Sequence, residues 1–143
     1  MKVVQQPTKD SCTSACLAML TGLPIDFVFS RFHDKFKAGE TNAYEFLDNL
    51  DFEYQRQIEQ YRIGGDPDGW AYLLAVPSLN EFATMHNLIV YTSQGQLHVL
   101  DPQRGVEGKF FYETLYSDYV GIGHQLTGFS PELKMYVGDR LDD

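Results

Sequence analysis

Two residues in this 143-residue chain carry intrinsically nucleophilic sulfur, Cys12 and Cys16. A thiol becomes a working nucleophile only where its surroundings favour the thiolate. Cys12 follows Asp10-Ser11 and opens a run to Leu20 that reads as a short helix. Its sulfur would then sit at the positive end of the helix dipole, which stabilises the anion. Cys16 lies one turn further in and is expected to pack as a small apolar residue. On a helix such a pair keeps its Cβ atoms roughly 6 Å apart, whereas a disulfide prefers about 3.8 Å. A zinc site would need two further ligands, and no second Cys/His cluster occurs. Two free thiols in a reducing, cytoplasmic setting are therefore expected, with no metal or other cofactor.

A cysteine nucleophile needs a base, for which histidine is the usual choice. The histidines are His33, His86, His98 and His124. His86 stands out because Leu88–Tyr91 and Gln96–Leu100 read as a hairpin closed near Ser93-Gln94-Gly95. With the loop at Ser93-Gln94, His86 falls opposite Asp101. With the loop one residue later the pairing shifts by two, and the side chains remain neighbours. An aspartate there can fix the tautomer and orientation of the imidazole. An oxyanion donor is also required, and Gln5 and Gln6 stand shortly before Cys12. Each residue has a plainer reading: Cys12 as a buried small residue, His86 at a strand end, Asp101 as a turn residue before Pro102, Gln6 as a solvated loop amide. His98 reads as a half-exposed sheet position, and His33 and His124 have no partner in the pattern.

The elements around these residues divide at Gly64-Gly65-Asp66-Pro67-Asp68-Gly69. Before it the period is helical. Asp10, Ser11 and the following Thr/Ser offer capping oxygens for the Cys12 helix, Gly22 ends it, and Pro24 opens the next. Val28, Phe32 and Phe36 form one stripe. Thr41 or Asn42 caps a third helix with Tyr44, Leu47 and Leu50 inward. After the break the runs are strand-like: Trp70 to Val76 closed by Pro77, then the hairpin, with Leu88–Tyr91 apolar on both faces and so central. The segment from Lys109 to Tyr119 fits either helix or strand. One α+β domain over 1–143 is expected, with helices in front and an antiparallel sheet behind.

Composition narrows the function classes. Hydrophobic residues make up 43% of the chain and aromatics 14%, enough for a packed core. The net charge is −9, and most of the excess lies in residues 40–68, which carry eight acidic and two basic groups. That balance argues against nucleic acid or anionic lipid as a default partner. No apolar run approaches the roughly 18–20 residues of a membrane span, and Met1–Gln6 leads straight into polar residues, so no signal peptide is expected.

These residues resemble a known family. Gln5-Gln6…Asp10-Ser11-Cys12…Leu17-Ala18-Met19 is similar to the Gln…Asp-Cys-Gly-x-x-x-Leu-Ala-Met stretch of papain-like cysteine peptidases, nearest the bacteriocin-processing (double-glycine leader) branch and its small stand-alone bacterial and phage relatives. His86-Asn87-Leu88-Ile89-Val90-Tyr91 resembles that family's His-headed strand, and Val99-Leu100-Asp101-Pro102 with Gly105 its Val-x-Asp-Pro…Gly ending. The likeness runs from Val4 to about Gly105. It implies a papain-like fold in which Cys12 is the nucleophile, His86 the base, Asp101 its orienter and Gln6 the oxyanion donor, acting on a peptide or protein substrate. Thr13 stands where the family has Gly and is expected to narrow the cleft. Members of that branch are fused to a transporter. Here there is no membrane-span run and no nucleotide-binding motif, so processing coupled to export is not expected. The resemblance also allows acyl transfer by the same triad, or an inactive binding module that blocks a host protein, with residues 40–68 as its surface.

Overall fold

A computed structural model describes residues 1–56, 58, 63, 65–115 and 121–138. Helix α1 spans Cys12–Thr21. Ser11 is its N-cap, but no side chain caps it, contrary to the expectation from Asp10, Ser11 and the neighbouring hydroxyls. Instead the Ser11 hydroxyl accepts from the Thr8 N–H at 2.8 Å and donates to the Thr8 carbonyl at 3.0 Å, closing the preceding turn. Gly22, at φ 74°, ends the helix in the left-handed conformation glycine tolerates, and its N–H returns to the Ala18 carbonyl. After Pro24, α2 (Ile25–Val28) continues through a π-helical turn (Phe29–His33) into α3 (Asp34–Lys37). Val28 and Phe32 are buried and Phe36 half-buried, as the stripe predicts. α4 (Ala43–Asn49) is capped by Asn42, whose Oδ1 accepts from the Glu45 N–H at 2.9 Å.

The strands are β1 (Trp70–Pro77), β2 (Met85–Ser93), β3 (Gln96–Leu100), β4 (Tyr112–Thr114), β5 (His124–Gln125) and β6 (Ser130–Tyr136). Four of them make an antiparallel sheet in the order β3-β2-β1-β6, while β4 and β5 pair separately. β2 is central, as its two-sided apolar pattern requires. The β2–β3 turn is Gln94-Gly95, with both φ positive, the hand that suits a two-residue hairpin. Ser93 therefore pairs with Gln96 and Ile89 with Leu100, the later of the two loop placements. Of the 109–119 segment, 112–114 is strand, and 116–120 lies outside the described residues, as does Gly64 of the central break.

Both faces of the sheet are covered. Leu73, Ile89, Leu133 and Met135 join α1–α4 in one core, and Tyr72, Leu74, Leu88 and Val90 pack with Tyr112 and Leu126 in another. The architecture is α+β, with helices against one face of an antiparallel sheet. No helix among the described residues is long and apolar enough to cross a membrane. The pairing of β1 with β6 slips at one point. Leu73 pairs with Leu133 but Leu74 pairs with Pro131, so Glu132 is an extra residue on β6, a bulge.

Candidate active site

α1 packs against β2, which sets the start of the helix beside the start of the strand. That contact brings Cys12 and His86 together. The partly exposed Cys12 and the buried His86 line one cleft of about 340 Å³. His86 Nε2 lies 2.6 Å from Asp101 Oδ1, which leaves Nδ1 as the ring nitrogen able to serve the sulfur. Asp101 is 1% exposed, and its remaining capacity is filled by the backbone N–H groups of Gln103 at 2.9 Å and Tyr112 at 2.8 Å. The hairpin, the turn after it and β4 thus converge on this one carboxylate.

The electrostatics follow from that chain of contacts. Burial of the Cys12 sulfur works against its thiolate. The hydrogen bond and charge of His86, with the Asn87 N–H, outweigh it and bring the thiol below its ordinary value. Burial likewise works against the imidazolium, but the Asp101 hydrogen bond and the Cys12 sulfur push His86 up to about 9. Each charge favours the other, so the pair tends toward thiolate and imidazolium. One turn along, Cys16 is fully buried, and burial followed by the charges of Cys12, Asp101 and Glu132 raises its thiol well above the ordinary range. Both cysteines are free.

The glutamines lie elsewhere. Gln6 is 7% exposed, and its side-chain amide donates to the carbonyls of Thr8 at 2.9 Å and Lys9 at 3.0 Å. Both amide hydrogens are engaged in the turn before α1, so Gln6 offers none to the cleft. Its backbone N–H meets the Pro102 carbonyl at 3.1 Å, tying this turn to the Asp101 loop. Gln5 is exposed and donates to the Arg104 carbonyl at 3.2 Å, its amide lying over Gly105. Neither Gln5 nor Gln6 lines the cleft.

Three cleft residues, Gln103, Asn87 and Glu132, carry no signal in the sequence pattern. Gln103 is 6% exposed, and its side-chain amide has no hydrogen-bond partner among the described residues. Asn87 Oδ1 accepts from the Thr13 hydroxyl at 2.6 Å, and Asn87 Nδ2 donates to the Leu74 carbonyl at 3.1 Å and reaches Glu132 Oε1 at 3.4 Å. Thr13 thus lines the cleft with its hydroxyl turned to Asn87. A residue two beyond an aspartate, and a strand bulge, have no distinctive residue type, so pattern reading passes over them. Of the other histidines, His33 sits 3.4 Å from Asp10 and stacks on Phe29, His98 stacks on Tyr91, and His124 meets the edge of Phe110. Among the described residues no cluster of three His, Cys, Asp or Glu side chains could hold a metal ion.

No protein-family model matches this chain, and neither a curated protein nor a solved structure does.

Proposed function

We propose that the protein is a papain-like cysteine hydrolase that cleaves a peptide or isopeptide bond in a peptide or protein substrate. The observation that carries this reading is the Cys12–His86–Asp101 chain: a cleft thiol lowered by an imidazole whose far nitrogen sits 2.6 Å from a buried carboxylate. A nucleophile, a base and an orienting group within reach of one another are the geometric requirement for acyl transfer.

In this reading the Cys12 thiolate attacks the carbonyl carbon and forms a C–S bond. The imidazolium of His86 gives its Nδ1 proton to the departing amine as the C–N bond breaks, leaving a thioester. Neutral His86 then takes a proton from water, which attacks the thioester, releases the acid and restores the starting pair. Asp101 holds the ring throughout and stabilises its charged form. The developing oxyanion needs donors. The start of α1 has no side-chain cap, so its first N–H groups, that of Cys12 among them, are open to an anion. Gln103, rather than Gln6, is the amide with hydrogens left for the cleft.

Thiol reactivity tests the reading. At neutral pH, iodoacetamide should alkylate Cys12 at least about 100-fold faster than the buried Cys16, as expected for a thiol of lowered pKa in an open cleft. Equal, slow labelling of both cysteines would refute it.

A further inference from the structure

Resting on the hydrolase reading, we propose that Glu132 selects substrates with a cationic side chain, lysine or arginine, beside the bond that Cys12 attacks. The bulge supplies the geometry. Because Glu132 is the extra residue on β6, it leaves the alternating pattern of the strand, and it lines the same cleft as Cys12. Its backbone is held from the helix side, where the Tyr44 hydroxyl donates to the Glu132 carbonyl at 2.9 Å.

The carboxylate is short of partners. It receives one long hydrogen bond, from Asn87 at 3.4 Å, and no described cation lies within 4 Å of it. Lys134, two residues along, is bound to Asp66 at 3.0 Å, and the cleft lysines Lys9, Lys37 and Lys109 are exposed at the rim. Burial pushes the Glu132 carboxyl above the usual carboxylate range. A half-buried carboxylate without a counter-ion is costly, and such groups concentrate where a ligand completes them. An ammonium or guanidinium would supply the missing charge and hydrogen bonds. Asn87 couples the two halves of the cleft, since its amide touches both Thr13, next to Cys12, and Glu132.

The test uses pairs of peptidyl chloromethyl ketones that differ only by lysine or its uncharged near-isostere norleucine, placed in turn at each residue flanking the reactive carbonyl. The Cys12 thiolate displaces chloride and forms a thioether, read by mass spectrometry. At one position the wild type should react about tenfold faster with the lysine reagent, the worth of one charge-assisted hydrogen bond. Glu132→Gln should bring that ratio to within about twofold, and Glu132→Lys should favour a glutamate over a glutamine reagent. Glu81→Gln, which removes a charge from the exposed rim, should leave the ratio unchanged. Iodoacetamide reports an intact Cys12 in each variant. A lysine ratio near one at every position, or one that survives Glu132→Gln or collapses in Glu81→Gln, overturns the proposal while brisk alkylation of Cys12 leaves the hydrolase reading standing. If no reagent prefers Cys12 to Cys16, both fall.

Discussion

The two ends of the sheet each carry a polar cluster, and the clusters are built on different terms. At the far end, Asp66 accepts from the Tyr72 hydroxyl and holds Lys134 Nζ at 3.0 Å through both oxygens, while the ammonium lies 4.9 Å from the centre of the Trp70 ring and Trp70 packs on Tyr136. Charge meets charge, and donors meet acceptors. At the other end Asp101 is as fully satisfied, but groups around it are not. Beside the Cys12–His86 pair, Gln103 and the Glu132 carboxylate line the cleft with little or no protein partner. A closed cluster can be understood as stabilising the fold. A cluster that aims under-partnered groups at one cavity bears the cost of burying them without that return, which is the mark of a site completed by something else.

Substitutions at the two ends should change different properties of the protein. His86→Ala removes the main groups that bring the Cys12 thiol down, leaving burial to push it up. The thiolate fraction at neutral pH then falls, and iodoacetamide labelling of Cys12 should slow by about 10–100-fold. Lys134→Met should leave that rate within about twofold, yet lower stability by about 1–3 kcal/mol, because it removes a cation held by a half-buried carboxylate. Labelling rates and urea unfolding midpoints read the two effects separately. If Lys134→Met slows labelling as much as His86→Ala does, the ends are not distinct in kind.

Asp101 belongs to both descriptions. It is structural, as the acceptor of two backbone N–H groups, and it orients His86. Asp101→Ala should therefore destabilise by about 3–5 kcal/mol, the range for removing one partner from a buried charged pair. Asp101→Asn should keep more of the fold while lowering the His86 pKa from about 9, since the aspartate hydrogen bond is the largest contribution raising it. The pH dependence of Cys12 alkylation shows the change. In the wild type the rate should rise first as the proton leaves the lowered thiol, level off while thiolate and imidazolium coexist, then rise again near pH 9 as His86 loses its proton and ceases to hold the thiolate. In Asp101→Asn the second rise should move to lower pH. A single rise at the ordinary thiol value in the wild type would show that no ion pair forms.

Much of the cleft was legible because it depends on local order. A turn containing Gly95 and an aspartate just past the second strand place His86 beside Asp101 with only a choice of loop placement left open, whereas Cys12 reaches them through the packing of α1 on β2, which spacing alone does not give. The illegible part depends on allocation and register. Nothing in Ser11 announces that its hydroxyl turns back to Thr8 and leaves α1 uncapped. Nothing in Gln6 announces that Thr8 and Lys9 take both its amide hydrogens. The pairing of β6 with β1 joins segments far apart in the chain, and the bulge that turns Glu132 into the cleft is a slip in that pairing rather than a property of the residue. Residue type says what a side chain can do, whereas the partners it has already taken decide what it is free to do.

The two glutamines test that distinction with the smallest effect. Gln6→Ala leaves two carbonyls beside α1 without their donor and should cost about 1–3 kcal/mol of stability. Gln103→Ala removes an amide that bonds nothing among the described residues, so stability should change little. A peptide aldehyde separates them chemically. It adds reversibly to the Cys12 thiolate to give a tetrahedral hemithioacetal whose oxygen sits where the oxyanion would, whereas alkylation by iodoacetamide forms no such oxygen. If Gln103 donates there, Gln103→Ala should weaken aldehyde binding by about tenfold, one hydrogen bond's worth, with the iodoacetamide rate unchanged. Gln6→Ala, assayed well below its unfolding midpoint, should weaken aldehyde binding by less than about threefold. The reverse pattern would return the oxyanion role to Gln6 and require its turn to open when substrate binds.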